Sequence, residues 1–237
     1  MVYKCLDIAR PWWPTRCVLC GAPGQAGLDL CVGCRRTLPR NAASCSRCAL
    51  PLPADSPIGT RCGGCTARPP AFDLALAPYR YESPVSDLVL GLKYAGRLAY
   101  GRILGHLLAS SLAPAASDRP EALLPVPLHP ARLRQRGFNQ ATEIARQVSR
   151  HLRIPVLHDA LQRIENTAAQ AGLRRAARLR NLGRAFRWAG PSLAAVAVID
   201  DVMTTGATAE AIARTLKRAG LQRVEIWTVA RTPHRPG

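Results

Sequence analysis

From residue 72 onward, this 237-residue chain alternates between short runs of adjacent apolar residues and longer stretches in which apolar residues recur every three or four positions. Short continuous apolar runs are typical of buried strands, and they occur at residues 123–126, 154–157 and 194–199, and a final strand is expected at residues 223–230. Two longer stretches, Leu98–Leu112 and the one that follows Asn139, place apolar residues three and four positions apart, which predicts helices. Strands that alternate with helices indicate an α/β fold with a parallel sheet, in which ligands bind at the carboxyl ends of the strands.

Weaker patterns lie between these elements. Residues 72–81 alternate and are β-like, and a helix with Pro84 at its first position is expected to run to about Tyr94. Near its end, Lys93 either reaches the site or complements the helix C-terminus, and the second interpretation is favoured. The arginine-rich segment 163–184 is weakly helical, and a lid over a site or a plain surface helix explains it equally well. The tail 231–237 is expected to be frayed.

The segment 196–208 combines an apolar strand, two adjacent aspartates and a loop rich in small and hydroxyl side chains. A helix is predicted from Ala209, and its free N–H groups and positive dipole end form an anion site at the loop. Asp200 and Asp201 would repel a phosphate, so we expect them to face hydroxyl groups or a cation while the loop amides hold the phosphate. A sugar phosphate satisfies both halves. The alternative is a plain strand end followed by a threonine N-cap.

The loop differs from other phosphate-binding motifs, because it lacks the lysine of a P-loop and Gly206 is its only glycine. The ordered pattern resembles the phosphoribosyl pyrophosphate (PRPP) signature of type I phosphoribosyltransferases. This resemblance implies that Asp200 and Asp201 are the catalytic, ribose-binding acids and that the following loop wraps the 5′-phosphate. The implied phosphate-binding residues are Thr204, Thr205, Gly206, Ala207 and Thr208.

Eight of the nine cysteines form four Cys-x-x-Cys pairs: Cys17/Cys20, Cys31/Cys34, Cys45/Cys48 and Cys62/Cys65. Each such turn aims two thiolates at one tetrahedral centre, so two pairs complete a structural zinc site without an open position. Metal is favoured over disulfides in a chain without a secretion signal. The simplest assignment is sequential, with one ion for the first two pairs and another for the last two, although a crossed arrangement or a single occupied site stays open. Cys5 is expected to be a small buried apolar residue.

The charge of the chain narrows the choice of partners. The net charge is +18, and 30 of the 33 basic residues are arginine. Such a field favours nucleic acid or a phosphate-rich small ligand, although codon bias also explains arginine in place of lysine. No apolar run approaches the length of a membrane span, about 18 residues, and the start lacks a signal-peptide core, so a cytoplasmic location is expected.

Together, these motifs resemble the competence protein F (ComF) family, which includes GntX-type proteins. Besides the cysteine pairs, the matching residues are Phe72-Asp73, Leu92-Lys93-Tyr94, Leu124–Leu128, Arg136–Gln140, Arg163, Thr167, Gln170, Arg178, Asn181 and Asp200–Thr208. The resemblance implies a zinc-ribbon domain over residues 1–68. A type I phosphoribosyltransferase-like domain, with a parallel sheet flanked by helices, would follow over residues 69–237.

The same resemblance implies PRPP, or a related sugar phosphate, bound with Mg²⁺. Arg136 and the helix N-terminus at Asn139 are candidates for its pyrophosphate side, because guanidinium groups match phosphate oxygens; a solvated loop charge is the alternative for Arg136. Two functions stay open. One is transfer of phosphoribose to an unidentified nitrogenous acceptor, and the other is a non-catalytic PRPP-binding platform that binds single-stranded DNA in DNA uptake. The sequence does not indicate the oligomeric state.

Overall fold

The computed structural model describes residues 15–25, 27–112, 119–164 and 185–233. Two compact units divide between Leu38 and Pro39, so the second group of cysteines belongs to the same unit as the sheet. The sequence-based domain limits, 1–68 and 69–237, stay a prediction. Cys5 and most of the arginine-rich segment, residues 165–184, lie outside the described residues.

The first unit is small and largely irregular in its described residues. Two antiparallel bridges, Arg16 with Pro23 and Gln25 with Leu28, precede a short helix, α1 (Val32–Arg36). The N-cap of α1 is a cysteine, Cys31, whose Sγ accepts a hydrogen bond from the N–H of Cys34 at 3.4 Å. So few apolar residues make a small core, and a metal ion would supply much of the folding free energy of such a unit.

Within the described residues, the strands and the longer helices belong to the second unit. In chain order its elements are α2 (Gly63–Ala67), β1 (Leu74–Leu76), β2 (Tyr79–Arg80), α3 (Val85–Ala95), α4 (Leu98–Leu112), β3 (Ala122–Pro125), α5 (Pro130–Arg136), α6 (Gln140–Leu152), β4 (Leu161–Arg163), β5 (Phe186–Trp188), β6 (Ala195–Met203), α7 (Ala207–Arg218) and β7 (Arg223–Arg231). None of the helices in the described residues combines the length and apolar character that a membrane span requires.

The main sheet is parallel throughout, in the order β1–β7–β6–β3, and β2 continues the pairing of β1 along β7. Its strands are buried on both faces, as parallel strands covered by helices require. On one face α4 and α6 pack against β7, β6 and β3. Ile212 and Leu216 of α7 join a core cluster with Val196 and Val198 of β6, which project from the other face. The predicted α/β fold with a parallel sheet is confirmed.

Several elements differ from the sequence-based prediction. The helix α5 and the antiparallel pair β4–β5 were not predicted, and the expected strand at 154–157 is reduced to a single bridge between Val156 and Leu123. The strand β6 continues past the apolar run through both aspartates to Met203. The expectation of a frayed tail is wrong for Arg231, which is 7% exposed at the end of β7.

Candidate functional site

A hollow of about 50 Å³ lies where β6 ends and α7 begins. All five residues of the predicted phosphate loop, 204–208, line it, together with Asp200 of β6 and Val126, which follows β3. The backbone N–H of Val126 donates to the carbonyl of Ile199 at 2.9 Å, so the ends of β3 and β6 meet at one edge of the sheet. The structure therefore brings Asp200 and the loop together at the edge where parallel sheets bind ligands.

The two aspartates point to opposite faces of the sheet, because successive side chains alternate along a strand and both residues lie within β6. Asp200 shares the face of Val198 and Val202, and all three line the hollow. Asp201 lies on the other face and is 2% exposed. Its backbone N–H donates to Oδ1 of Asp200 at 2.9 Å. The structure thus places Asp200, but not the Asp201 carboxylate, in the hollow.

The carboxylate of Asp201 is held by Lys93 of α3, whose Nζ forms an ion pair with Oδ2. The Lys93 side chain is 21% exposed, and its pKa is raised: burial favours the neutral amine, but the charges of Asp201 and Asp200 outweigh that effect. The interpretation of Lys93 as a partner of the helix C-terminus is therefore wrong. The residue instead offsets the negative charge of both aspartates.

Asp200 carries the strongest electrostatic perturbation at the hollow. Burial raises the pKa of its carboxyl well above the ordinary value, and the charge of Asp201 and a hydrogen bond with it act in the same direction. Lys93 and the backbone N–H of Asp201 offset part of this shift. A cation or several hydroxyl donors in the hollow would stabilise the ionised form of Asp200.

The loop between β6 and α7 turns at Gly206, the N-cap residue of the helix. Gly206 has φ +78°, which side chains rarely adopt, whereas a Cβ there would meet only Met203 Sδ at 3.8 Å. The turn therefore needs glycine for its backbone conformation. Thr205 Oγ1 accepts from the Ala207 N–H at 3.3 Å. The Glu210 N–H donates to the Gly206 carbonyl at 2.9 Å, whereas the N–H groups of Thr208 and Ala209 precede this first intrahelical bond, so they and the dipole favour an anion.

The second predicted helix start is joined to Val126, which lines the hollow. Asn139 is the N-cap of α6, as predicted: its Oδ1 accepts from the Ala141 N–H at 3.0 Å. Its Nδ2 donates to the carbonyl of Val126 at 2.9 Å, which ties the start of α6 to the edge of the hollow. Arg136 does not line the hollow; it donates to Gln140 Oε1 at 2.6 Å. The pyrophosphate-binding roles of Arg136 and Asn139 stay predictions.

One other guanidinium group, that of Arg163, lies within electrostatic reach of Asp200. Burial lowers the pKa of Arg163, the charge of Arg132 lowers it further, and the charge of Asp200 raises it. Arg163 belongs to β4, and its guanidinium carbon lies 5.7 Å from the centre of the Phe186 ring on β5. The β4–β5 pair thus holds a half-buried arginine whose charge acts on Asp200.

The eight paired cysteines form two clusters in the sequential assignment. The sulfur atoms of Cys17, Cys20, Cys31 and Cys34 all lie within 4.8 Å of one another, and so do those of Cys45, Cys48, Cys62 and Cys65. The Cys20–Cys31 and Cys48–Cys62 sulfur distances are both 3.7 Å. Four sulfurs at about 2.3 Å from a tetrahedral zinc lie about 3.8 Å apart, whereas disulfide sulfurs lie about 2.05 Å apart. The donor sets fit structural zinc.

The electrostatics of the bare thiols agree with a metal-binding role. Burial opposes ionisation of Cys17 and Cys45, but hydrogen bonds from backbone N–H groups lower the pKa of each to about 6. Burial raises the pKa of Cys48 to about 11, and the neighbouring Cys45 adds to the shift. A divalent cation removes the repulsion between thiolates, so all four sulfurs can ionise together when zinc is bound.

These features define a class of protein with a parallel α/β unit, a strand–loop–helix hollow and two four-cysteine metal sites. The family model described as a double zinc ribbon domain matches residues 8–66. The chain is 32% identical over 225 residues to competence protein F of Haemophilus influenzae, covering 91% of this chain and 96% of that protein. It is also 32% identical to the DNA utilization protein YhgH of Escherichia coli K12, covering 92% and 98%. The chain belongs to the competence protein F family.

A solved structure of TT1426 from Thermus thermophilus aligns with 58% of this chain and 85% of its own, at 19% identity and a TM-score of 0.34. This likeness is too distant to inform the site.

Sequence reasoning did not assign Lys93 and Arg231 to the end of β6, where both cations lie. Lys93 was set aside as a helix-end charge, and Arg231 was placed in a frayed tail. Lys93 lies in the last turn of an apolar helix. A lysine at such a position is explained by the helix dipole alone and does not indicate a site. Arg231 is the last residue of β7 and directly follows the mostly apolar residues 226–230. This position at the end of an apolar strand could have indicated that Arg231 is buried.

Proposed function

We propose that this protein binds PRPP, or a closely related sugar phosphate, with Mg²⁺ at the hollow, and that it transfers phosphoribose to a nitrogenous acceptor. The observation that supports the proposal best is that Asp200 and the whole 204–208 loop line one hollow at the N-terminus of α7. The helix N-terminus suits the 5′-phosphate, and the carboxylate of Asp200 suits the ribose hydroxyls as a hydrogen-bond acceptor.

The two aspartates have different roles in this proposal. Asp200 contacts the ribose, and Asp201 acts indirectly by holding Lys93, which keeps the charge at the end of β6 balanced. Magnesium would be held largely by the pyrophosphate and ribose oxygens, with Asp200 as the carboxylate that lines the hollow, and it would neutralise negative charge on the ligand. Arg163, on which the charges of Asp200 and Arg132 both act, is the guanidinium group that would meet the pyrophosphate.

In the transfer, the bond between the ribose anomeric carbon and the pyrophosphate oxygen breaks as a bond to the acceptor nitrogen forms. Positive charge develops on the ribose and negative charge on the leaving pyrophosphate. The chain contributes chiefly by orienting the ribose through Asp200 and by placing arginine charge near the leaving group.

Calorimetric titration with PRPP and Mg²⁺ tests the binding step. Asp200→Asn should weaken PRPP binding by at least about tenfold, because it removes the acceptor that faces the ligand (1.4 kcal/mol corresponds to tenfold). Asp87→Asn is the matched control, since Asp87 is an exposed acid on α3 that binds Ser83. Equal PRPP affinities for Asp200→Asn and the wild type would refute the assignment of the hollow.

A second candidate function is a platform that binds single-stranded DNA without turnover. The relatives are named competence protein F and DNA utilization protein, and the net charge of +18 favours polyanions. Exposed arginines of α5, Arg132 and Arg134, offer positions for phosphate contacts. A role in DNA uptake or use is common to both candidates.

The two candidates give different results in two assays. Release of pyrophosphate from PRPP in the presence of nucleobases, lost in Asp200→Asn, supports the transferase. Salt-sensitive binding of an oligonucleotide that survives Asp200→Asn, without pyrophosphate release for any base, supports the platform, because phosphate contacts release counterions and do not need the hollow.

A further inference from the structure

Arg231 lies between the second cysteine cluster and the phosphate loop. Its Nε donates to the backbone carbonyl of Cys48 at 3.2 Å. Its Nη1 donates to the carbonyl of Met203 at 3.0 Å and to the carbonyl of Thr204. One guanidinium group therefore contacts a metal-ligand residue and the two residues at which the phosphate loop begins.

The burial of Arg231 requires a nearby negative charge. The residue is 7% exposed, and the carbonyl groups that it contacts are neutral. A zinc ion with four thiolates carries a net charge of −2, so the loaded second cluster supplies the anion that a buried guanidinium needs.

The contacts of Arg231 also determine where the loop amides point. In a trans peptide the carbonyl and the following N–H point in opposite directions. Because the carbonyls of Met203 and Thr204 point at Arg231, the N–H groups of Thr204 and Thr205 point away from it. Thr204 and Thr205 both line the hollow. The Met203 carbonyl also accepts from the Thr232 N–H at 3.1 Å, whereas Arg231 is the side chain that joins the start of the phosphate loop to the metal cluster.

We infer that Arg231 is a positioning residue that couples the second zinc site to the phosphate loop, so that loss of metal from this site releases the loop and weakens sugar-phosphate binding. The ligand-binding part of this inference rests on the proposed function, whereas the coupling between metal and loop does not. By linkage, a ligand on the loop stabilises metal at the second site by the same factor by which metal improves ligand binding.

The ligand-free test is hydrogen–deuterium exchange of residues 200–210 in the full-length, zinc-loaded protein. Arg231→Met should increase the exchange rate of this segment at least about fivefold, the lower end of typical coupling between sites. Arg47→Met is the matched control: Arg47 lies between two ligands of the same cluster but donates to Pro70 and pairs with Asp73. It should leave exchange in residues 200–210 unchanged.

Metal depletion gives the decisive comparison. Depleting the wild type should raise exchange in residues 200–210 as Arg231→Met does, and depleting Arg231→Met should add nothing, because coupled perturbations are not additive. Additive effects, or an unchanged loop in Arg231→Met, would overturn the inference. Arg231→Lys tests whether charge alone suffices: a lysine lacks the planar fork that reaches both sides, so a wild-type loop in this variant would also overturn it. Residues 103, 104, 107 and 108 of α4, which are fully buried, report global unfolding.

If metal depletion or Arg231→Met unfolds the chain, the coupling is tested instead by cysteine alkylation of the zinc-loaded wild type. Saturating PRPP should slow alkylation of Cys48, Cys62 and Cys65 at least about fivefold and leave Cys17, Cys20, Cys31 and Cys34 unchanged. Equal effects on both clusters, or none despite calorimetric binding, would overturn the coupling. Absence of calorimetric PRPP binding would instead refute the proposed function, and pyrophosphate would then serve as the loop ligand in the same alkylation test.

Discussion

Replacing Lys93 by methionine should destabilise the protein strongly. Lys93→Met removes the cation beside Asp201, a carboxylate that is 2% exposed and adjoins Asp200. The variant must then bury two neighbouring carboxyl groups without the positive charge that balances them, or keep one of them protonated. Either outcome reduces the free energy of unfolding near neutral pH.

The expected magnitude follows from the burial of the pair. Removing one partner of a buried ion pair costs about 3–5 kcal/mol, a large share of the 5–15 kcal/mol that stabilises a typical domain. For a chain of this size, 1 kcal/mol lowers Tm by about 2–4 °C, so the Tm of Lys93→Met should fall by about 6–20 °C. The control is Lys217→Met, because Lys217 and Asp73 form an ion pair at 2.6 Å whose side chains are 29% and 33% exposed. An exposed pair contributes about 0–1 kcal/mol, so the control should lose at most about 4 °C.

Thermal unfolding of zinc-loaded proteins at equal concentration measures both variants. The double variant Lys93→Met/Asp201→Asn should recover much of the loss, because the buried carboxylate is gone as well. If Lys93→Met is no less stable than Lys217→Met, or if the double variant is as unstable as Lys93→Met, then the ion pair does not support the end of β6.

Three further predictions concern the same unit and its metal sites. Asp200→Asn should raise Tm near pH 8 while weakening PRPP binding. Because burial and the charge of Asp201 raise the pKa of Asp200, its ionised form is disfavoured in the folded protein, so the gain in Tm should shrink as the pH is lowered through that raised pKa and the wild-type carboxyl takes up its proton. Gly206→Ala should lower the free energy of unfolding by about 1–2 kcal/mol in thermal unfolding, since φ is +78° at this position, and it should weaken PRPP binding in calorimetry. An unchanged Tm together with an unchanged PRPP affinity would contradict the role of the turn. Elemental analysis of freshly purified, reduced protein should find two zinc ions per chain, and chelation should lower Tm by several degrees; one ion per chain would leave one cluster without metal.

The parts of the fold that sequence patterns predicted are those determined by local spacing. The helix Leu98–Leu112 has the predicted limits, because its apolar face and its ends are encoded within those residues. The end of β6 was predicted too early, at Ile199, because aspartates are depleted in strands and the apolar pattern stops there. Pairing with β7 carries the strand on to Met203, and this tertiary interaction is not visible in the local sequence.

The candidate site shows the same division between local and distant information. The strand–loop–helix segment was found because its residues are contiguous, and its loop lines the hollow as a unit. The different faces of Asp200 and Asp201 depend on whether the chain is still extended at that point, so the pair was interpreted as one acidic unit. The partners of Lys93 and Arg231 are set by how α3 and β7 pack, and neither residue is near the acids in sequence.

These two cations act on the same short segment in different ways. Lys93 binds a side chain, Asp201, whereas Arg231 binds backbone carbonyls, those of Met203 and Thr204. A side-chain partner can be removed together with its mate, so a compensating change at position 201 can rescue a Lys93 variant. No substitution removes a backbone carbonyl. A variant of Arg231 therefore leaves the carbonyls of Met203 and Thr204 without the guanidinium donor, and this holds for any side chain at positions 203 and 204. We therefore expect substitutions at position 201 to restore the stability of Lys93 variants, and substitutions at positions 203 and 204 not to restore that of Arg231 variants. A screen for second-site suppressors, followed by thermal unfolding of the zinc-loaded variants, measures both.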